Sequence, residues 1–113
     1  MTGTRTSLWL RRSAAVLAAV SWLTGPAAAL DAGRQQQLTT LVRQDCGSCH
    51  GMTLQGGLGS ALLPKNVEHL GVEGIAQIIL EGVPGTPMPP WRGLLSEAEA
   101  HWIAEKLKEG FPE

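Results

Sequence analysis

Both cysteines of this 113-residue chain fall within one pentapeptide, Cys46-Gly47-Ser48-Cys49-His50, and no other feature constrains the fold as much. Two thiols three positions apart reach the two vinyl groups along one haem edge, and the imidazole that follows is placed to reach the iron. The motif implies one haem c attached through two thioethers, with Cys46 and Cys49 as anchors and His50 as the first axial ligand. Other uses of these residues fit less well. A thioredoxin-like pair belongs in a βαβ layout, whereas the flanks here carry helical periodicity. Structural zinc wants a second closely spaced ligand pair, and only His69 and His101 remain to supply it. A plain disulfide leaves His50 without a role.

The amino terminus places this chemistry outside the cytoplasm. Arg5, Arg11 and Arg12 precede an apolar run from Ala14 to Leu23, and Gly25-Pro26-Ala27-Ala28-Ala29 then supplies a helix break and small residues. That is the pattern of a cleaved secretory signal over residues 1–29. The run is far shorter than the roughly twenty residues a spanning helix needs, so no stable membrane insertion is expected after cleavage. Haem attachment outside the membrane favours the general secretory route for an unfolded chain, despite the Arg11-Arg12 pair.

Residues 30–113 form the single remaining domain. It holds all ten carboxylates but only six of the nine basic residues, a net charge of −4. A mildly acidic surface without a basic patch argues against nucleic acid as a partner. So short a chain, with one Phe, no Tyr and two of its four Trp outside the signal, lacks apolar bulk for an independent core. Haem is expected to complete that core, leaving the apoprotein largely unfolded.

The expected class is all-α. Leu38, Leu41 and Val42 have helical spacing within Gln35 to Gln44, a first helix that delivers Cys46 at its end. The glycine-rich loop from Gly51 to Pro64 brings Leu58, Leu62 and Leu63 toward a flat ligand. A helical turn is expected from Asn66. Glu73 to Glu81 then carries Ile75, Ile78 and Ile79 on one face, with Gly82 as a stop. Ser96-Glu97-Ala98-Glu99 is a capping box, and Ala100, Ile103, Ala104 and Leu107 form a stripe that ends at Gly110 and is expected to cross the first helix.

Between those last two helices lies Val83-Pro84-Gly85-Thr86-Pro87-Met88-Pro89-Pro90-Trp91. Three prolines around one methionine hold the backbone in extended or turn conformations, so a thioether is presented from a stiff loop. Met88 is read as the second axial ligand opposite His50. Met52 follows His50 too closely to reach the other haem face. His69 and His101 are the rival ligands, each more simply a surface or hydrogen-bonding residue. Trp91 and Arg92 have two open readings: contact with a haem propionate, or core packing and a solvated cation respectively.

Helix, haem motif, glycine-rich loop, Met88-Pro89 and closing helix together resemble a class I cytochrome c over the whole of residues 30–113. More narrowly, Asp45 to Leu54, Gly56-Gly-Leu-Gly59, Gly85 to Arg92 and Leu95 to Ala100 resemble the small periplasmic monohaem cytochromes associated with dissimilatory nitrite reductase. The resemblance implies three or four helices wrapped around one haem, and a periplasmic one-electron carrier rather than an enzyme. Its partners would be an upstream membrane or periplasmic donor, nitrite reductase as acceptor, and the machinery that attaches haem. Two alternatives stay open within it: assistance in maturing the d-type haem of that reductase, and delivery to another periplasmic or terminal oxidase. A ligand-sensing cytochrome would instead need Met88 to leave the iron. Such cytochromes often carry Gly-Pro after the haem motif, where the proline carbonyl orients the ligand histidine. Here Gly59 precedes Ser60, so the Ser60 carbonyl is expected to hold His50, with a less stiff backbone behind it.

Overall fold

Asp31 begins the first helix, α1 (Ala32–Leu41), by accepting a hydrogen bond at 2.8 Å from the Arg34 backbone N–H, which has no acceptor within the helix. The computed structural model describes residues 29–111; the predicted signal lies, but for its last residue, outside them. The first helix does not stop near Gln44. It widens into a π-helical turn (Val42–Cys46) and tightens again as α2 (Gly47–His50), so a continuous helical rod runs from Ala32 to His50.

Gly51 turns the chain at φ +90°, and a Cβ there would stand 2.7 Å from the Gly56 carbonyl oxygen. The loop folds tightly against the end of the rod, Gly56 N–H donating to His50 O and Gly59 N–H to Cys49 O, both at 2.8 Å. Leu54, the one non-glycine described residue with positive φ, is held there by burial and by backbone bonds to Gly51 and Leu62.

Three further helices follow. α3 (Pro64–Val67) starts two residues before the expected Asn66, with Pro64 in the first turn, where a missing N–H costs nothing. α4 (Val72–Glu81) ends at Gly82, φ +67°, as its sequence suggested. α5 (Glu97–Glu109) has the full capping box: Ser96 Oγ accepts from the Glu99 N–H at 3.2 Å, and Glu99 Oε2 accepts from the Ser96 N–H at 2.9 Å. No strand occurs among the described residues.

Apolar stripes of these helices meet in one core, with Leu38 and Val42 from the rod, Ile75, Ala76, Ile79 and Leu80 from α4, and Ala100, Ile103, Ala104 and Leu107 from α5. α5 packs broadly along α4 and less widely along α3, and a side-chain bond links its first turn to α1. There Arg34 Nε donates to Glu99 Oε1 at 2.5 Å, tying the start of α1 to the first turn of α5. Arg34 holds the Glu99 carboxyl below the usual carboxylate range. The result is the all-α arrangement expected from the sequence.

Candidate functional site

The rod, the glycine loop, α4 and the proline-rich segment enclose a cleft of about 640 Å³, within the range of ordinary ligand cavities. Cys46, Cys49, His50 and Met88, named separately from sequence, all line it. Its walls are otherwise mainly apolar. Val42, Leu62, Val67, Leu70, Ile75 and Ile79 are buried or half-buried along it, with Ile103 and Leu107 at its base.

The Cys46 and Cys49 side chains are both free thiols. Burial, with the Asp45 carboxylate beside it, pushes the Cys46 thiol up to about 11, so it stays neutral at physiological pH and is a slow partner for disulfide exchange. Their three-residue spacing is kept through the junction of the π turn and α2, which leaves both on the cleft wall.

His50 ends α2 and is fixed from two directions. Its Nδ1 lies 2.7 Å from the Ser60 carbonyl oxygen. A carbonyl can only accept, so Nδ1 carries the proton and Nε2 keeps its lone pair for a metal. The ring lies against Gly59, where a Cβ would come within 2.8 Å of both Cε1 and Nδ1. Any larger residue at 59 would push the imidazole aside. The expected substitution of Ser60 for a proline carbonyl is therefore realised in the geometry.

Met88 is half-buried and sits on a loop tied at three points. Thr86 N–H donates to Val83 O at 3.1 Å, Thr86 Oγ1 donates to the same carbonyl at 2.7 Å, and Val83 N–H donates to Met88 O at 3.3 Å. Gly82 makes this possible: a Cβ there would lie 2.7 Å from Met88 O and from the Pro89 carbonyl carbon. Beyond the loop, Trp91 and Arg92 return to α4 by donating to the carbonyls of Ile79 and Leu80, both at 3.1 Å. Thr86 was not singled out from sequence; its place between Gly85 and Pro87 is the signal that marks it.

The donor set and cradle fit a haem. Two thiols share a wall with an imidazole of the right tautomer, a thioether comes from another segment, and the space between is apolar and bounded by a glycine against the ring. Haem would be held by Cys46, Cys49, His50 and Met88.

Other expectations are sorted by the geometry. Leu58 and Leu62 line the cleft, Leu58 as a lip 95% exposed, but Leu63 turns away to pack on the core beside α3. Trp91 lines the cleft and packs on the core as well, so neither of its readings is removed. Arg92 does not line it: Glu81 and Glu97 hold its guanidinium, Nε donating to Glu81 Oε1 at 2.6 Å. Sequence could not choose these carboxylates because one is eleven residues away on another element. His101 pairs with Glu73 at 2.6 Å, bridging α5 and α4. His69, set aside as a surface residue, borders the cleft. No described helix is long and apolar enough to cross a membrane.

Comparison with known proteins agrees with this site. The family described as cytochrome C oxidase, cbb3-type, subunit III matches residues 33–105. Cytochrome c55X of Pseudomonas aeruginosa is 54% identical over 71% of this chain and 67% of its own length. Cytochrome c55X of Paracoccus denitrificans is 49% identical over 81% and 86% respectively. Among solved structures, the c-type cytochrome NirC superposes at a TM-score of 0.70 with 51% identity, covering 73% of this chain and 96% of that one. The dihydro-heme d1 dehydrogenase NirN, solved in complex with DHE, matches at 0.59 with 35% identity, over 66% of this chain but 16% of that one. A helical fold, one cleft gathering two thiols, an imidazole and a thioether, and these relatives lead to one conclusion: the chain belongs to the class I c-type cytochromes and is an electron carrier of the cytochrome c55X group.

Proposed function

We propose that this chain is a periplasmic monohaem carrier that binds haem through Cys46 and Cys49, ligates its iron with His50 and Met88, and delivers electrons to dissimilatory nitrite reductase. The observation that carries the ligand assignment is the His50 ring, whose proton is committed to Ser60 O at 2.7 Å and whose other nitrogen is free. Bound haem supplies one-electron exchange between ferric and ferrous iron. Met88, a neutral thioether, favours the ferrous state and so raises the potential. Iron held by both His50 and Met88 would leave small ligands no open position. The apolar walls from α4 and α5 exclude water, which strengthens every charge interaction in the cleft.

Exposed Met52 and Leu58, with Pro89 and Pro90, offer an uncharged collar for brief docking of a redox partner over a small interface. A cleaved signal over residues 1–29 would place the carrier in the periplasm, where the haem-attachment machinery and an upstream donor act on it. The test of the partner is direct. The reduced cytochrome, mixed with the reductase and nitrite, is expected to reoxidise rapidly; slow reoxidation would remove this acceptor and leave the haem assignment intact.

A second reading has one observation in its favour, the similarity over 66% of the chain to part of a dihydro-heme d1 dehydrogenase. In that reading the same carrier serves the maturation of d-type haem. Oxidation of the reduced carrier by the maturation enzyme, but not by the reductase, would select it.

A further inference from the structure

From Gly82 to Ser96 the chain carries a single charged side chain, Arg92, and it does not line the cleft. Its guanidinium reaches back across the Met88 loop. Nε donates to Glu81 Oε1 at 2.6 Å, Nη2 donates to the same oxygen, and Nη1 donates to Glu97 Oε1 at 3.3 Å. Glu81 is the last residue of α4 and Glu97 the first of α5. One side chain therefore joins two helix ends to the downstream end of the loop.

That bridge stands where the loop has least of its own to hold it. Pro89 and Pro90 follow Met88, and neither has an N–H to donate. Beyond Met88 the next backbone anchors are Trp91 and Arg92, which donate to the carbonyls of Ile79 and Leu80. Upstream, Gly82 N–H donates to Ile78 O at 2.9 Å and Val83 N–H to Met88 O at 3.3 Å. No other residue between Gly82 and Ser96 carries a charge with which to form an ion pair.

We infer that Arg92 is a positioning residue for Met88: by clasping Glu81 and Glu97 it holds the two ends of the loop together and sets how readily the thioether leaves ferric iron. The inference rests on the Met88 ligand reading above. Release of Met88 is a local opening of this loop, and a clasp across its ends opposes that opening. A thioether favours ferrous over ferric iron, so the ferric state depends more on the loop to keep the sulfur in place. The Arg92 and Glu81 side chains are 46% and 54% exposed, which makes the clasp modest in strength and sensitive to salt.

The test is the affinity of imidazole, a neutral probe at pH 8, for the ferric iron of the intact holoprotein. Arg92→Gln keeps the backbone bonds and should tighten imidazole binding about two- to fivefold, the range of an exposed ion pair. Raised salt should tighten binding to the wild type but not to the variant. Glu81→Gln should act in the same direction, and adding it to Arg92→Gln should change little further, since both break one interaction. Arg92→Lys should fall between, because an ammonium lacks the fork that reaches two carboxylates. Hydrogen exchange at the Val83 N–H should quicken in Arg92→Gln. As a control, Arg34→Gln breaks the α1–α5 tie and should lower overall stability without altering imidazole affinity. Unchanged affinity in Arg92→Gln, or equal tightening in Arg34→Gln, would overturn the inference. A wild-type ferric protein without a sulfur–iron charge-transfer band would instead refute the Met88 ligand reading.

Discussion

The two walls of the cleft hold their candidate ligands by different means. His50 stands at the end of a nineteen-residue helical rod, with its ring bonded to Ser60, flattened against Gly59, and its own carbonyl bonded to Gly56. Met88 sits on a loop that owes its shape to prolines, the Thr86 turn and one glycine with positive φ. The first wall fixes a ring orientation; the second fixes a backbone path and leaves the side chain its own rotamers. Methionine has three rotatable bonds, so it adjusts where the imidazole cannot. The thioether side is therefore the one expected to yield first under stress.

Removal of both anchors is the largest perturbation and should erase the contrast. Cys46→Ser with Cys49→Ser should yield a colourless and largely unfolded chain, seen as loss of helical circular dichroism, because neither wall then has anything to pack on. Met88→Ala should separate the walls: pigment stays attached, carbon monoxide gains access, and the potential falls by a sizeable part of the ~0.8 V range that axial ligands command. Optical titration of the ferric and ferrous forms measures both effects.

Gly82→Ala sharpens the comparison further. It imposes left-handed strain and a clash with Met88 O, about 1–3 kcal/mol, and should weaken the sulfur–iron band while the His50 side stays intact. Gly59→Ala should do the opposite, disturbing the imidazole first.

Acid should loosen the α1–α5 tie before it touches either wall. The Glu99 carboxyl titrates below its unfolded value because Arg34 donates to it. Its contribution is complete above the unfolded carboxylate range and is lost as pH falls through the lower folded value. Glu99→Gln keeps an acceptor for the Ser96 N–H but removes the charge paired with Arg34, and should cost about 0.2–1 kcal/mol and flatten the acid limb of a denaturation curve. The smallest effect is expected from Ser60→Pro. It keeps the carbonyl that orients His50, removes no hydrogen bond that Ser60 N–H makes among the described residues, and should add about 0.4–1 kcal/mol through a stiffer unfolded chain.

Much of this was legible in sequence because the decisive signals are local. The haem motif, the Ser96–Glu99 capping box and the stop at Gly82 each act within a few residues, and α4 and α5 lie close to where their apolar stripes put them. The Ser60 contact was legible because a carbonyl serves whatever side chain it carries. What stayed hidden depends on separation. Leu62 and Leu63 are neighbours of equal hydropathy, and only the turn between Gly51 and Pro64 decides which meets the cleft. Arg92 finds Glu81, and Lys108 finds the turn after α3, through tertiary packing that no spacing rule encodes. The site itself needed distance as well: His50 and Met88 are 38 positions apart, and the fold makes them share a cavity.

The π-helical turn at Val42–Cys46 makes residue count as consequential as residue type in this stretch. A wide turn takes up one more residue than an ordinary one, so removing one position there would let the rod wind regularly while Cys49 and His50 keep their bearing on the cavity, whereas adding one with no second wide turn to absorb it would swing everything beyond by about 100° around the axis. Shortening and lengthening this stretch are therefore unequal: the rod can absorb the first, and the second turns the thiols and the imidazole away from the cavity.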